Sequence, residues 1–186
     1  MELPPKRRTV TRTTVRNAWL QNLQWVDDYG FCEYVREAIE DDHEDLRICW
    51  CCGVTGYQEV AHIIAHSLGG THLPFNCFLL CAECHLNSPD CSSAKYFVAF
   101  TNENAGRFSR VLAETFKKIN LRVIEFCQQE PEQAKGLVES MQAANLDFSS
   151  RATTHGANYS ISTKMARLEM VLDEAIDRAR LGPAET

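Results

Sequence analysis

Several features that would place the protein in a familiar class are missing from its 186 residues. No apolar run approaches the length of about 18 residues that a membrane-spanning helix requires. The basic segment 1–16 lacks the apolar stretch of a secretory signal, and the sequence contains neither an internal repeat nor a glycine-rich phosphate loop. We therefore expect no membrane partner, no export by the secretory route and no P-loop nucleotide chemistry.

A disulfide framework is also not indicated. The chain has nine cysteines, an odd number that cannot pair completely. Four of them suit a metal site, and the whole set fits a reducing compartment better than an oxidising one, so we expect a cytoplasmic protein. Packing roles are expected for four of the others: Cys32, Cys77, Cys91 and Cys127.

Two C-x-x-C pairs are the strongest motif in the chain. Cys49 and Cys52 form the first pair, and Cys81 and Cys84 form the second about thirty residues later. Four thiolates at this spacing can hold one tetrahedral zinc ion. Cys51 is not included, because a pair shifted to it would lose the glycine that follows the first pair.

The residues between the two pairs predict a two-stranded ribbon followed by a helix. Alternation and β-branched residues predict a strand at 57–64, which carries His62. After a glycine-containing loop, Asn76 precedes a second predicted strand at 78–80. His85 lies at the opening of the helix that follows.

This stretch, from Cys49 to Asp90, resembles the HNH nuclease family. In that family a two-stranded ribbon and a helix surround a catalytic divalent metal, and many members carry a structural four-cysteine zinc. The resemblance implies DNA as the substrate and three catalytic residues. His62 would be the general base, Asn76 the central residue of the motif, and His85 a ligand of catalytic Mg²⁺ or Mn²⁺.

Cleavage of a phosphodiester explains why these residue types occur together. The reaction needs a deprotonated water, a cation that neutralises charge on the phosphate, and in-line geometry. His62 can accept a proton near neutral pH, because an imidazole titrates around pH 6.5. His85 follows the zinc ligand Cys84 directly, so the structural metal would hold it in place.

One position departs from the family's pattern. Many members place an aspartate or histidine metal ligand immediately before the general base, where this chain has Ala61. Glu59 and Asp90 are the main candidates for the missing ligand, Glu59 because it shares a strand face with Ala61. His66 is a third candidate, although His66 and His72 are more simply expected to be loop residues or residues that support the site without binding metal.

The net charge of −6 is unevenly distributed. Residues 1–16 contain five basic residues and one acid, whereas residues 17–48 contain nine acids and two arginines. A basic arm on an acidic protein is consistent with phosphate contact, and a solvated tail is the alternative. The residues expected to bind DNA are Lys6, Arg7, Arg8 and Arg12.

Outside the ribbon, apolar periodicity predicts helices. The fold class is expected to be α+β and mainly helical, with a small zinc-braced ββα-metal core between N- and C-terminal helices. Helices are predicted from Thr13 or Thr14 to Asp28 and over 31–40, 92–100, 108–128 and 131–144. The predicted organisation is a flexible basic arm at 1–12, an HNH domain at 13–144 with its core at 49–90, a linker at 145–160 and an amphipathic helix at 161–181.

The last predicted helix has two alternative roles. Its apolar residues recur every three or four positions, at Ile161, Met165, Leu168, Leu172, Ala175 and Ala179. The helix can dock on the rest of the chain, or it can pair with the same helix of a second copy to form a homodimer.

These features together predict a divalent-metal-dependent DNA endonuclease of HNH type with a structural zinc. Restriction, phage defence and mobile-element movement are all compatible settings. The alternative is a noncatalytic zinc module that binds nucleic acid or a protein partner, which Ala61 and the acidic composition favour.

Overall fold

Helices make up most of the structure. The computed structural model describes residues 10–151 and 160–181, without the side chains of 147–151. In chain order the elements are α1 (Arg12–Gln21), α2 (Gln24–Tyr29), α3 (Glu33–Asp41), β1 (Glu59–His62), β2 (Cys77–Leu80), α4 (Ala82–Asn87), α5 (Ala94–Asn104), α6 (Arg107–Gln129), α7 (Pro131–Ala134), α8 (Leu137–Arg151) and α9 (Ile161–Leu181). This confirms the predicted α+β, mainly helical class. None of the described helices is long and apolar enough to cross a membrane.

The small sheet consists of β1 and β2, which pair antiparallel with Glu59 opposite Leu80. All four residues of β2 are buried, whereas β1 is fully buried at Ala61 alone. β1 is shorter than the predicted strand at 57–64. The ladder stops at the pair Glu59–Leu80, because the residue after Leu80, Cys81, is already the N-cap of α4.

An aromatic core holds the ribbon against the N-terminal helices. Trp19 of α1 is fully buried, as its helical spacing predicted, and its ring lies 5.6 Å from that of Phe78 and 5.9 Å from that of Trp50. The Trp19 indole nitrogen donates a hydrogen bond of 2.8 Å to the carbonyl oxygen of Cys77. The indole therefore fixes the start of β2 as well as filling the core.

The predicted helix from Thr13 or Thr14 to Asp28 is wrong in its start and in its continuity. The cap is Thr11, whose hydroxyl accepts a hydrogen bond of 3.2 Å from the backbone nitrogen of Thr14. The helix then ends at Asn22, whose side chain donates to the Ala18 carbonyl at 2.8 Å. Such local side-chain bonds compete with helical hydrogen bonding, so α1 and α2 are separate helices.

A buried carboxylate joins α1 to the segment that begins the metal site. Asp42 is fully buried at the end of α3. Its Oδ1 accepts from Arg12 Nη2 at 2.8 Å and from the Ile48 backbone nitrogen at 3.1 Å, and its Oδ2 accepts from Trp50 Nε1 at 3.2 Å. The three donors make Asp42 an internal anchor.

The chain divides into two compact units, with the boundary between Arg107 and Phe108. This differs from the predicted domain at 13–144. The reason is that α6, α8 and α9 bury their apolar faces in a hydrophobic core of their own, so they separate from the unit that contains the ribbon. The core residues are Ile119, Phe126, Leu137, Ala144, Leu172, Ala175, Ile176 and Ala179.

The apolar face of α9 is used within the second unit. Five of its six predicted positions are buried and Leu168 is partly buried against the same core. Docking within the chain thus accounts for this face, and a homodimer through α9 finds no support.

Two predicted boundaries need correction. α8 continues through Arg151, so the predicted linker is wrong over 145–151, where a polar sequence without glycine or proline extends the preceding helix. Conversely, the predicted helix at 131–144 is divided near Gly136 into α7 and α8. Residues 152–159 lie outside the described part of the chain.

Replacement of Asp42 is expected to destabilise the first unit. Asp42→Ala would remove the buried acceptor shared by Trp50, Ile48 and Arg12, although Arg12 keeps its ion pair with Glu44. The expected loss is about 3 kcal/mol. Urea unfolding of the zinc-loaded protein measures it. Asp41→Ala is the matched control, because Asp41 is exposed, and it should change stability by less than about 0.5 kcal/mol. Equal effects of the two variants would contradict the anchoring role.

Candidate active site

Four cysteines converge at the base of the ribbon. The ligand atoms of Cys49, Cys52, Cys81 and Cys84 all lie within 4.8 Å of one another, and all four residues are buried. The Sγ atoms of Cys52 and Cys81 are 3.8 Å apart. Four sulfurs placed tetrahedrally about 2.3 Å from a zinc ion lie about 3.8 Å from each other. The residues therefore fit the predicted structural zinc.

The first cysteine pair lies on a tight turn that the local sequence dictates. The backbone nitrogen of Cys49 donates to Val54 and the nitrogen of Gly53 donates back to Cys49, both at 2.9 Å. Gly53 has φ +81°, and a Cβ there would lie 2.0 Å from the hydroxyl oxygen of Tyr34. Glycine is thus required after the pair for backbone conformation and for space.

The second pair opens α4. Cys81 is the N-cap, and its sulfur accepts a hydrogen bond of 3.4 Å from the backbone nitrogen of Cys84. Hydrogen bonds from Cys49, Cys52 and Cys84 lower the pKa of Cys81, which favours the thiolate form that a metal binds. Cys51 was not expected to be a ligand, and its sulfur lies 3.8 Å from the Thr101 carbonyl oxygen.

His62 ends β1 and is partly buried. Its Nε2 lies 2.9 Å from Nδ1 of His72, and the ring of His66 lies against that of His72 with centroids 4.2 Å apart. Burial lowers the pKa of His62, and the charges of His72, His66 and His85 lower it further. A base with a lowered pKa stays neutral, and able to accept a proton, to a lower pH than an ordinary histidine.

Asn76 holds the loop between the strands. Its Nδ2 donates to the carbonyl oxygens of Ile64 and Thr71, each at 2.9 Å, and its Oδ1 accepts from the Ile64 backbone nitrogen at 2.9 Å. Asn76 is 2% exposed. With its amide bonded in this way, Asn76 positions the loop that follows His62, and its assignment as a catalytic residue stays a prediction.

His85 is held on the first turns of α4 by Glu59. Its Nδ1 lies 2.6 Å from Glu59 Oε2, and both side chains are about one-third exposed, 39% and 36%. Asp90 is exposed and has no hydrogen bond or ion pair to the described residues. Of the two carboxylates that could replace the missing ligand, the structure brings Glu59 to His85.

Position 61 itself faces the interior. Ala61 is 1% exposed, so a carboxylate at this point of the strand would be buried beside Phe78, its partner in the ladder. Glu59 lies two residues earlier on the same strand face, where the sheet edge is open to solvent.

The basic arm is described in part. Lys6, Arg7 and Arg8 lie outside the described residues, and their contact with DNA stays a prediction. Arg12 is the first residue of α1, so the predicted flexible arm is wrong at its end. Its guanidinium is 13% exposed and bonds to Asp42 and Gln58, which assigns it a structural contact within the protein.

The comparisons with known proteins agree with this geometry. Residues 48–89, about a quarter of the chain, match the model of the HNH endonuclease family. No curated protein and no solved structure matches the chain. The resemblance read from the cysteine pairs and the histidines is therefore confirmed. An HNH segment implies nuclease-like chemistry and a nucleic-acid ligand.

His72 is a neighbour of the site for which the sequence left two roles open, a loop residue and a residue that supports the site without binding metal. The structure places its ring against His62. The available signal was the occurrence of three histidines, at 62, 66 and 72, within one short segment.

The zinc site makes a direct prediction about metal content. Cys52→Ser should lose the zinc and destabilise the fold, since metal binding at such sites contributes folding free energy on the order of 10 kcal/mol. Cys51→Ser is the control, because it makes the same chemical change at the neighbouring buried thiol and should keep one zinc per chain. Elemental analysis of the purified proteins measures both. Zinc loss from both variants, or no zinc in the parent protein, would contradict the assignment.

Proposed function

We propose that the protein is a divalent-metal-dependent DNA endonuclease. The observation that carries the proposal is the placement of His85. It follows Cys84 of the proposed zinc site, and it is oriented by Glu59, whose Oε2 lies 2.6 Å from its Nδ1. It is also one of the three histidines that lower the pKa of His62. The proposed base and the proposed metal-binding imidazole thus belong to the same ββα unit.

His62 is the proposed general base. The described residues provide no hydrogen-bond partner for its Nδ1, since the bond of the ring is made by Nε2. A water molecule can therefore reach Nδ1 and give up its proton there. The lowered pKa keeps the imidazole neutral near physiological pH, which is the form that general-base catalysis requires.

His85 fits a divalent cation, and Glu59 fits the role of orienting the His85 ring. The Glu59 carboxylate occupies the Nδ1 side of the His85 ring and leaves Nε2 for a metal. Metal-binding histidines commonly carry such a carboxylate on their other nitrogen, which fixes the tautomer and makes the ring a better ligand. When bound, Mg²⁺ or Mn²⁺ would neutralise charge that develops on the phosphate oxygens.

The proposed substrate is double-stranded DNA, and its support is the HNH match together with the chemistry of the site. Hydrolysis of a phosphodiester requires both a base that activates water and a cation that binds the phosphate oxygens. The proposed arm of Lys6, Arg7 and Arg8 adds positive charge that the acidic remainder lacks.

Supercoiled plasmid tests the proposal. With Mg²⁺ or Mn²⁺ the parent protein should nick or linearise the plasmid, and EDTA should stop the reaction. His62→Ala should lower the rate by about 100-fold while zinc content stays unchanged, because it removes the general base. His43→Ala, a change at an exposed histidine outside the ribbon, is the control and should cleave normally.

Two outcomes of this assay would contradict the proposal. Parent-level rates from His62→Ala would remove the assigned base. No conversion with any metal would favour the alternative, a noncatalytic zinc module that binds nucleic acid.

Glu59 and Asp90 can be separated by charge-neutralising changes. Glu59→Gln keeps an oxygen for the His85 ring but loses the negative charge, so cleavage should fall at least 10-fold and half-saturation should need more Mn²⁺. Asp90→Asn is the matched control, with an expected change of less than about twofold. Titration of cleavage against Mn²⁺ concentration measures both. A defect in Asp90→Asn with a normal Glu59→Gln would assign the missing ligand to Asp90.

A further inference from the structure

Three histidines form a cluster on one side of the ribbon, defined by His62, His66 and His72. The centroids of His62 and His72 are 4.8 Å apart with their planes inclined at 69°, which directs Nε2 of His62 at Nδ1 of His72 over 2.9 Å. His66 is exposed and stacks on His72 at an interplanar angle of 25°. The contact between His62 and His72 is therefore a hydrogen bond, and His66 contributes a ring face.

His72 is an unusual residue to bury for stability alone. Its Nε2 is buried and has no hydrogen-bond partner among the described residues. A buried polar atom without a partner destabilises a fold by roughly 1 to 3 kcal/mol. Among the described residues, His62 provides the one hydrogen bond that the His72 ring makes. The position of His72 is thus explained by what it does for His62 and not by what it adds to packing.

The hydrogen bond between the two facing nitrogens contains one proton. Which nitrogen carries that proton decides whether His62 can act as a base. If His72 donates, Nε2 of His62 is the acceptor and the remaining proton of the neutral His62 ring is on Nδ1, which then has no lone pair for water. If His62 donates from Nε2, its Nδ1 carries a lone pair on the side that no described residue occupies.

We propose that His72 is a positioning residue that accepts the Nε2 proton of His62, and thereby holds His62 in the tautomer and orientation that a general base needs. The inference rests on the proposed nuclease function of His62. It adds His72, which lies in the loop between the two strands. His72 does not contact the substrate and affects it only through His62.

The proton count is consistent with this role. Water gives one proton to Nδ1 of His62, the hydroxide oxygen bonds to phosphorus, and the bond from phosphorus to the leaving oxygen breaks. The leaving oxygen takes a proton from solvent. His62 then carries protons on both nitrogens, and the Nε2 proton stays bonded to Nδ1 of His72. A hydrogen bond from a charged donor is stronger than one from a neutral donor, so the contact stabilises the protonated base.

The histidine cluster does not resemble a second metal site. Within 10–151 and 160–181, the four cysteines form the group whose ligand atoms lie close enough to hold an ion. The centroids of His62 and His66 are 6.3 Å apart, with His72 between them in contact with each. A chain of neighbouring rings fits a hydrogen-bonding partner for His62 better than a shared cation.

Nitrogen NMR of the zinc-loaded protein tests the tautomer without any cleavage assay. In ¹⁵N-histidine protein at pH 8, His62, assigned by its absence from His62→Ala, should show a protonated Nε2 and an unprotonated Nδ1. In His72→Ala the ring should lose this fixed state and revert to the tautomer mixture of a free neutral histidine ring. A protonated Nδ1 in the parent protein, an averaged ring, or an unchanged His62 signal in His72→Ala would each overturn the proposal.

Cleavage kinetics supply the second arm. His72→Ala should lower kcat about 10-fold and leave KM within twofold, since the lost hydrogen bond acts when charge forms on His62. His72→Asn should restore most of the rate, because its side-chain oxygen lies where Nδ1 of histidine lies and can accept the same proton. His43→Ala, a change at an exposed histidine outside the ribbon, is the control and should cleave like the parent.

The two arms separate failure of the inference from failure of the proposed function. Absence of cleavage by the parent protein would remove the nuclease assignment, and the NMR measurement would still decide the tautomer. A fully active His72→Ala protein, or no difference between His72→Ala and His72→Asn, would overturn the positioning role while leaving the nuclease assignment intact.

Discussion

The convergence of four buried cysteine sulfurs is the constraint on which the site depends. Sulfur atoms held within 4.8 Å of one another repel each other as thiolates unless a cation lies between them, and zinc is the ion that the tetrahedral arrangement fits. One cysteine pair precedes the ribbon and the other follows it, so a shared ion would close the ribbon at its base. The same ion would fix the first turn of α4, and His85 with it. This link would supply rigidity that two short strands cannot provide alone.

Packing around that link determines how firmly it holds. Trp19 bonds to the start of β2, and Asp42 bonds to Trp50 within the first cysteine turn. Both contacts tie helices near the N-terminus to the segment that carries the metal ligands. Burial of apolar side chains contributes most of the stability but has no preferred direction. The hydrogen bonds of the Asp42 carboxylate and the two indole nitrogens select one arrangement of the helices and the ribbon.

Polar residues in the ribbon divide into two groups by what their hydrogen bonds satisfy. The Asn76 amide makes three hydrogen bonds to the loop backbone, so Asn76 holds the loop in its conformation. His62, His85 and Glu59 each keep an atom that the protein leaves open, on side chains that are partly exposed. Side-chain atoms that have no hydrogen-bond partner at a rigid surface are available for a ligand. This contrast supports a catalytic role for His62, His85 and Glu59.

The sequence by itself determined the features that depend on neighbours along the chain: the two cysteine pairs, the strand that carries His62, and the helix start that carries His85. Local spacing dictates these, because turns and helix caps involve residues a few positions apart. The tertiary structure alone brought Glu59 to His85, brought His72 to His62, and joined Arg12 to Asp42. The contacts Glu59–His85 and Arg12–Asp42 join residues 26 and 30 positions apart. No periodicity encodes such pairs, since they exist only once the ribbon has closed and α1 has packed against it.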